Sequence, residues 1–147
     1  MDSKNSIRLF ENKRIRTAWD EENEEWYFSI VDVIAVLTDS KNPQTYWRVL
    51  KKRLIDEGNE TVTNCNALKM KAADGKMRLT DVADTEQLLR IIQSIPSPKA
   101  EPFKLWLAAV GRERIDETID PELTIDRALV TYLKKGYDKD WIHQRLL

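Results

Sequence analysis

At 147 residues the chain has the length of one domain, or of one domain with a short extension. Its hydrophobic fraction of 41% permits a real core, while 33% charged residues predict a heavily charged surface. The net charge of −1 excludes a general attraction to phosphate, so a nucleic-acid site would depend on where the charges lie.

The cysteine and histidine counts and the lack of long apolar runs disfavour further classes of protein. Cys65 is the only cysteine, which excludes an intrachain disulfide, and His143 is the only histidine, which disfavours a zinc site within one chain. No apolar run approaches the roughly 18 residues of a membrane span, and the start of the chain lacks the apolar core of a signal peptide. We expect a soluble cytoplasmic protein without cofactors.

The first elements in the chain are predicted to be strands. Apolar and polar residues alternate in the segments Ile7–Phe10 and Lys13–Trp19, as in half-buried strands. The acidic, Asn-containing segment Asp20–Glu25 is typical of a hairpin loop, and it leads to a further strand at Trp26–Phe28. The N-terminal part therefore predicts a small antiparallel sheet.

Two capped helices follow. Ser29 precedes the apolar run IVDVIAVL, and Asp32 three positions later makes a variant of the capping box, which predicts a helix over 30–38. Asn42 is suited to cap the next helix and Pro43 to its first turn. In that second helix Trp47, Leu50 and Leu54 share one face at helical spacing.

The next segment predicts a hairpin and two more helices. Asp74-Gly75 marks a hairpin tip within Met70–Leu79, since this dipeptide favours two-residue turns with positive φ. Thr80-Asp81 and Asp84-Thr85 are alternative caps for a helix through EQLLRIIQSI, and another helix is predicted over 98–115.

The segment after Asp116 has a different character. It contains two short helical signals, with Pro121 at a favourable start and Gly136 at a favourable stop. The chain reaches Leu147 in mid-pattern, so we expect further sequence beyond it. The fold class expected is α+β: a small, mainly antiparallel sheet with packed helices over 1–115 and a helical extension over 116–147.

Basic charge concentrates in the middle third of the chain. Lys41 to Leu79 contains nine Lys or Arg and four acidic residues, a local balance of +5, whereas five of the six residues in Asp20–Glu25 are acidic. On the second helix Arg48, Lys51 and Lys52 form a stripe suited to phosphates. The competing interpretation is that they are solvated partners of Asp56 and Glu57.

The predicted hairpin is a second candidate contact, because a two-stranded ribbon fits a major groove. The basic residues of this hairpin are Lys69, Lys71, Lys76 and Arg78. Arg14 and Arg16 on the first strands would extend the same surface. The competing interpretation is an ordinary exposed hairpin whose lysines protect its edge from aggregation.

The sequence gives little support to an enzyme. It has no Gly-rich phosphate loop and no HExxH motif, and His143 with Asp138 or Asp140 has no recognisable nucleophile to activate. Asp32 is better explained as a helix cap than as a catalytic base. A metal nuclease built from scattered acids is the remaining catalytic alternative.

Three short motifs lie within 7–114: the aromatic pair Tyr27-Phe28 followed by Asp32, the segment RLTDVADTEQLLRII, and a Phe-x-x-Trp helix with Phe103 and Trp106. Together they resemble the N-terminal domain of the BRO family, found in phage antirepressors and related bacterial and viral proteins. Thr80–Ala83 lacks the glycine usual in the family. The part after Asp116 is similar to the branch that includes DNA-damage-inducible protein D.

The resemblance implies DNA binding, with roles in prophage antirepression, transcription regulation or the DNA damage response. The alternative is a protein-interaction domain that sequesters a repressor or a recombination protein without binding DNA; the acidic segment Asp20–Glu25 favours it. Because regulators are often symmetric, we expect a homodimer. A continuous basic face away from the acidic segment would favour DNA over a protein partner.

Overall fold

The computed structural model describes Asn12 and residues 14–146, apart from the side chains of Thr61 and Thr63, and confirms the α+β class. Four antiparallel strands form one sheet in the order β1-β2-β4-β3. The strands are β1 Thr17–Asp20, β2 Glu25–Ser29, β3 Asn66–Lys71 and β4 Met77–Ala83. The helices are α1 Ile30–Leu37, α2 Pro43–Asp56, α3 Glu60–Thr63, α4 Thr85–Gln93, α5 Glu101–Ile119, α6 Glu122–Lys134 and α7 Lys139–Leu146, with a 3₁₀ turn at Pro98–Ala100.

The acidic segment forms the predicted hairpin loop between β1 and β2. Asp20 Oδ1 accepts a hydrogen bond from the Glu22 amide at 3.0 Å, and Asp20 Oδ2 accepts one from the Asn23 side chain at 2.8 Å. These bonds lower the pKa of Asp20, with the Asn23 side chain as the largest cause. The predicted strand Ile7–Phe10 lies outside the described residues.

Helices α1 and α2 begin at the predicted caps. Ser29 Oγ accepts from the Asp32 amide at 3.4 Å, and Asn42 Oδ1 accepts from the Thr45 amide at 3.1 Å. The apolar faces of both helices are buried: Ile30, Val33, Ile34 and Leu37 in α1, and Trp47, Leu50 and Leu54 in α2. Each such side chain contributes roughly 1.5–3 kcal/mol when fully buried, so burial of these faces holds both helices in the fold.

The hairpin between β3 and β4 is present, but its turn differs from the two-residue turn that Asp74-Gly75 predicts. Ala72 donates its amide to the Lys76 carbonyl at 2.8 Å, and Gly75 donates to the Ala72 carbonyl at 2.9 Å. The loop therefore has three residues, and only Gly75 has a positive φ, at +82°. This is the turn-plus-bulge geometry in which glycine occupies the left-handed position.

The sheet curls around a small core. Tyr27, Met70 and Val82 form a buried cluster, and the side chains of Ala18 in β1 and Leu68 in β3 pack against it. Both edge strands therefore contribute to one core. Strand β2 pairs with β4 only at Phe28↔Ala83 and Ser29↔Val82. The tip of the β3–β4 hairpin consequently extends beyond the part of the sheet that β2 covers.

The cap of α4 is Asp84 rather than Thr80-Asp81. Asp84 and Gln87 exchange side-chain to backbone hydrogen bonds at 2.8 and 3.0 Å, which completes a capping box. Strand β4 continues to Ala83 because Val82 and Ala83 are fully buried and pair with β2. Thr80 and Asp81 are therefore strand residues.

The chain separates into two compact units, the first ending at Leu105 and the second beginning at Trp106, inside α5. In the second unit Arg127 of α6 forms an ion pair with Glu117 of α5, and Tyr137 stacks on Trp141 with ring centroids 4.1 Å apart. Gly136, with φ of +92°, ends α6 as predicted. The predicted C-terminal helical extension is present, and the domain boundary at 115/116 stays a prediction.

Candidate nucleic-acid interface

The first unit contains a groove of about 1250 Å³ where the β3–β4 hairpin faces the starts of β1, α1 and α2. Four predicted site residues line it, namely Arg16, Lys69, Lys71 and Arg78. Two carboxylates, Asp32 and Asp81, line it too. The groove therefore carries an excess of positive charge.

The strand register places the hairpin's basic residues on two different faces. Lys69 pairs with Leu79 and Lys71 with Met77, while Met70 pairs with Arg78. Since directly paired residues share a face and neighbours alternate, Lys69 and Lys71 lie on one face and Arg78 on the other. Neither lysine forms a salt bridge with any described residue, so both ammonium groups are available to a ligand.

The guanidinium of Arg16 is engaged by this chain. Its Nε donates to Asp32 Oδ2 at 2.7 Å, its Nη2 to Asp32 Oδ1 at 3.1 Å and its Nη1 to the Lys71 carbonyl at 3.1 Å. The hydrogen bond to Asp32 raises the pKa of Arg16, against the effect of desolvation. Arg16 therefore connects β1 to α1 and to the end of β3, which positions Lys71 at the groove.

Asp81 is a groove residue for which the sequence predicted no binding role. Its Oδ2 accepts from Trp47 Nε1 at 2.8 Å and from Lys51 Nζ at 3.2 Å, joining α2 to β4. A tryptophan on a buried helix face normally finds an acceptor for its indole N–H, so Trp47 was the available signal for such a partner. The sequence does not say which acceptor it is.

The predicted stripe on α2 continues the groove. Arg48 lies one turn after the groove-lining Gln44, and Lys51 one turn after Trp47. Arg48 and Lys52 are exposed and form no salt bridge with a described residue. The competing interpretation paired this stripe with Asp56 and Glu57; among the described residues Glu57 instead pairs with Arg53 at 4.0 Å and Lys51 with Asp81.

The remaining predicted residues lie at the margins. Lys76 is exposed in the hairpin loop. Arg78 forms an ion pair with Asp74 that lowers the pKa of the Asp74 carboxyl. Arg14 is exposed in the turn before β1 and is not among the groove-lining residues. Of the predicted cations, Lys69 and Lys71 line the groove without an ion pair to a described residue, Arg16 and Arg78 line it with one, and Arg48 and Lys52 lie along α2 outside its lining.

The acidic β1–β2 loop is outside this groove. Glu24 and Glu25 instead line a separate depression with Trp26 at the start of α4. The acidic loop therefore contributes no carboxylate to the groove lining, where it would repel phosphate.

The part of the chain that the structure describes contains no cluster of side chains suited to binding a metal ion. Across Asn12 and 14–146, no three His, Cys, Asp or Glu side chains lie close enough to hold a metal ion. Asp138, considered as a partner for His143, instead accepts the Trp141 amide at 2.7 Å at the start of α7. None of the described helices combines the length and apolar character needed to cross a membrane.

A protein-family model matches most of the chain. The model described as BRO family, N-terminal domain, matches residues 14–113. This range contains the whole groove and the residues Tyr27, Phe28, Asp32, Phe103 and Trp106 that carry the resemblance in the sequence. No curated protein and no solved structure matches the chain.

Proposed function

We propose, since the chain belongs to the BRO family, that its N-terminal domain is a DNA-binding regulatory module that contacts duplex phosphates through the groove. The observation that carries this proposal is the pair Lys69 and Lys71. Both lie on one face of a projecting two-stranded ribbon, line the groove and have no carboxylate partner among the described residues. Free ammonium groups at a concave basic site are what phosphate contacts require.

The neighbouring helix supports the same function. Arg48 and Lys52 extend the basic surface from the groove along α2. A ribbon and an adjacent helix that present cations to one ligand would follow two stretches of a duplex backbone. The role is one of binding, without catalysis or a cofactor. Antirepression, transcription regulation, a prophage context and a function in the DNA damage response are narrower proposals, as is the likeness to the DNA-damage-inducible protein D branch.

The test is fluorescence anisotropy of a labelled mixed-sequence duplex, titrated with the chain at several salt concentrations. Phosphate contacts predict a linear fall of log affinity with log salt, with a slope of about −0.9 for each phosphate neutralised. Steep salt dependence would support the proposal. No binding at about 50 mM salt would overturn it for this chain.

The α2 stripe has its own test. Replacement of Arg48, Lys51 and Lys52 together by Ala is expected to flatten the salt dependence. Because Lys51 pairs with Asp81, the variant Arg48→Ala/Lys52→Ala is the cleaner measurement, since it leaves that ion pair in place. An unchanged slope in this double variant would remove α2 from the interface.

A second candidate function is favoured by one specific observation. Trp19 and Trp26 are 46% and 49% exposed, and their ring centroids lie 5.1 Å apart beside the acidic loop. Exposed tryptophans are typical anchors of protein interfaces, and carboxylates around them favour a basic partner. A repressor or a recombination protein would be such a partner. If the duplex does not bind, loss of partner binding in Trp26→Ala with no change in folding would support this alternative.

A further inference from the structure

The face of the β3–β4 ribbon that carries Lys69 and Lys71 also carries two large apolar side chains. Leu79 pairs with Lys69 and Met77 with Lys71, so each lysine has an apolar neighbour directly across the ribbon. The lysines lie on the edge strand β3, and the apolar residues lie on β4. This face therefore has a basic half and an apolar half, side by side along the hairpin.

Helix α2 covers this face at its base. Asp81, which pairs with Ala67 and shares the face, accepts a hydrogen bond from Trp47 Nε1 at 2.8 Å. Closer to the turn, Leu79 and Met77 are 71% and 61% exposed, and Leu79 lines the groove. Adjacent apolar side chains on a projecting ribbon are unfavourable in water, so their position favours contact with a ligand.

The charge and the width of the ribbon specify that ligand. Two ammonium groups beside the apolar half favour an anionic ligand, and a two-stranded ribbon fits the major groove of DNA, which is about 12 Å wide. The apolar group that bases present in that groove is the 5-methyl group of thymine. With β3 toward one phosphate wall, β4 would lie about 5 Å further into the groove, where Leu79 and Met77 would meet the base edges.

We infer that Leu79 and Met77 are base contacts of the duplex site, and that they pack on thymine methyl groups in the major groove. This inference rests on the proposed DNA-binding function and adds the class of base that the site favours. Lys69 and Lys71 contribute affinity that is independent of sequence, whereas the two apolar side chains contribute a preference for thymine.

The test compares two duplexes of the same A·T-rich sequence by fluorescence anisotropy. In one of them deoxyuridine replaces every thymidine, which removes the methyl groups but keeps the backbone charge and the base pairing. The unaltered chain should bind the thymine duplex about threefold to tenfold more tightly, since one buried methyl group changes affinity about fourfold. Leu79→Ala/Met77→Ala should bind both duplexes equally.

Two further measurements separate this role from a structural one. Because neither residue is charged, Leu79→Ala/Met77→Ala should keep the slope of log affinity against log salt of the unaltered chain. The control Ile115→Ala/Ile119→Ala truncates two apolar side chains of α5 that are 63% and 80% exposed. This control should keep the preference for the thymine duplex.

The outcomes distinguish this inference from the proposed function. Steep salt dependence with equal affinity of the unaltered chain for the two duplexes would overturn the inference alone; side chains wedged between base steps would give this result. A thymine preference that Leu79→Ala/Met77→Ala retains would also overturn it, because other residues would then contact the methyl groups. Binding to neither duplex at low salt would overturn the inference together with the proposed function.

Discussion

Arg16 and Asp32 join the start of strand β1 to the first turn of helix α1 by two parallel hydrogen bonds, 2.7 and 3.1 Å long. The Arg16 amide adds a third bond to the same carboxylate at 2.9 Å. The side chains of Arg16 and Asp32 are only 33% and 16% exposed, so this pair is better shielded from solvent than the surface ion pairs of the chain. It therefore sets the geometry of one wall of the groove.

Breaking the Arg16–Asp32 pair should destabilise the fold. We expect Arg16→Ala and Asp32→Ala each to lower the free energy of unfolding by about 1–3 kcal/mol, because each leaves its partner's polar groups unpaired. The double variant should cost less than the sum of the two, as expected for coupled residues. Urea denaturation measures all three.

A matched control is Lys99→Ala. Lys99 pairs with Asp39 at 2.6 Å, but the two side chains are 54% and 84% exposed. The loss should be under about 1 kcal/mol because solvent screens an exposed pair. Equal losses for Lys99→Ala and Arg16→Ala would show that the Arg16–Asp32 pair has no special structural role.

Removing the carboxylate of Asp81 should strengthen DNA binding. Asp81→Asn keeps an acceptor for Trp47 Nε1 but eliminates a negative charge from the groove and releases Lys51. We expect affinity for a duplex to rise about threefold to tenfold at low salt, since the repulsion between a carboxylate and a phosphate about 4 Å apart in water is about 1 kcal/mol. Anisotropy titration measures the change. Asp56→Asn, outside the groove lining, is the control, and weaker binding of Asp81→Asn would argue against phosphate in this groove.

The two glycines at positions 75 and 111 should respond to alanine in opposite ways. Gly75 has φ of +82°, a conformation that an L side chain adopts at a cost of about 1–2 kcal/mol. Gly111 lies inside α5 with open space around its Cα, so Gly111→Ala should stabilise by about 0.5–1 kcal/mol. Thermal unfolding of both variants is the measurement, and a stabilising Gly75→Ala would contradict the three-residue loop.

The thiol of Cys65 should react slowly. Burial raises its pKa to about 11, and the Asp81 carboxylate acts in the same direction. Because only the thiolate is nucleophilic, iodoacetamide at pH 8 should modify the native chain about 100-fold more slowly than the unfolded chain. The rate in the native chain should still rise above pH 10. Comparable rates in the native and unfolded chains would contradict the burial of this side chain.

Local features were predicted well because their causes are local. The caps Ser29 and Asn42 and the stop at Gly136 depend on neighbouring residues and are recognisable in the sequence. The sequence does not decide whether Asp84 or Thr80-Asp81 caps α4, because this depends on the pairing of β4 with β2. The three-residue loop at Gly75 also differs from the turn that its dipeptide favours most.

The site could be predicted only in part. Lys69, Lys71, Arg48 and Lys52 are candidates from their charge and spacing, and their contact with phosphate stays a prediction. The partners of two other cations are distant in sequence: Asp32 lies 16 residues from Arg16, and Asp81 lies 30 residues from Lys51. No periodic pattern specifies contacts across such separations. The sequence therefore could not predict that Arg16 bonds Asp32 or that Asp81 lines the groove and bonds Lys51.

The most direct test of the account compares salt slopes of duplex binding in two double variants that lose the same charge. Lys69→Gln/Lys71→Gln removes the two lysines of the ribbon that line the groove, whereas Arg90→Gln/Lys104→Gln removes two cations outside the groove lining. The account predicts that the first variant loses about 1.8 from the slope of log affinity against log salt and the second loses none. An unchanged slope in the ribbon variant would contradict the assignment of phosphate contacts to the groove.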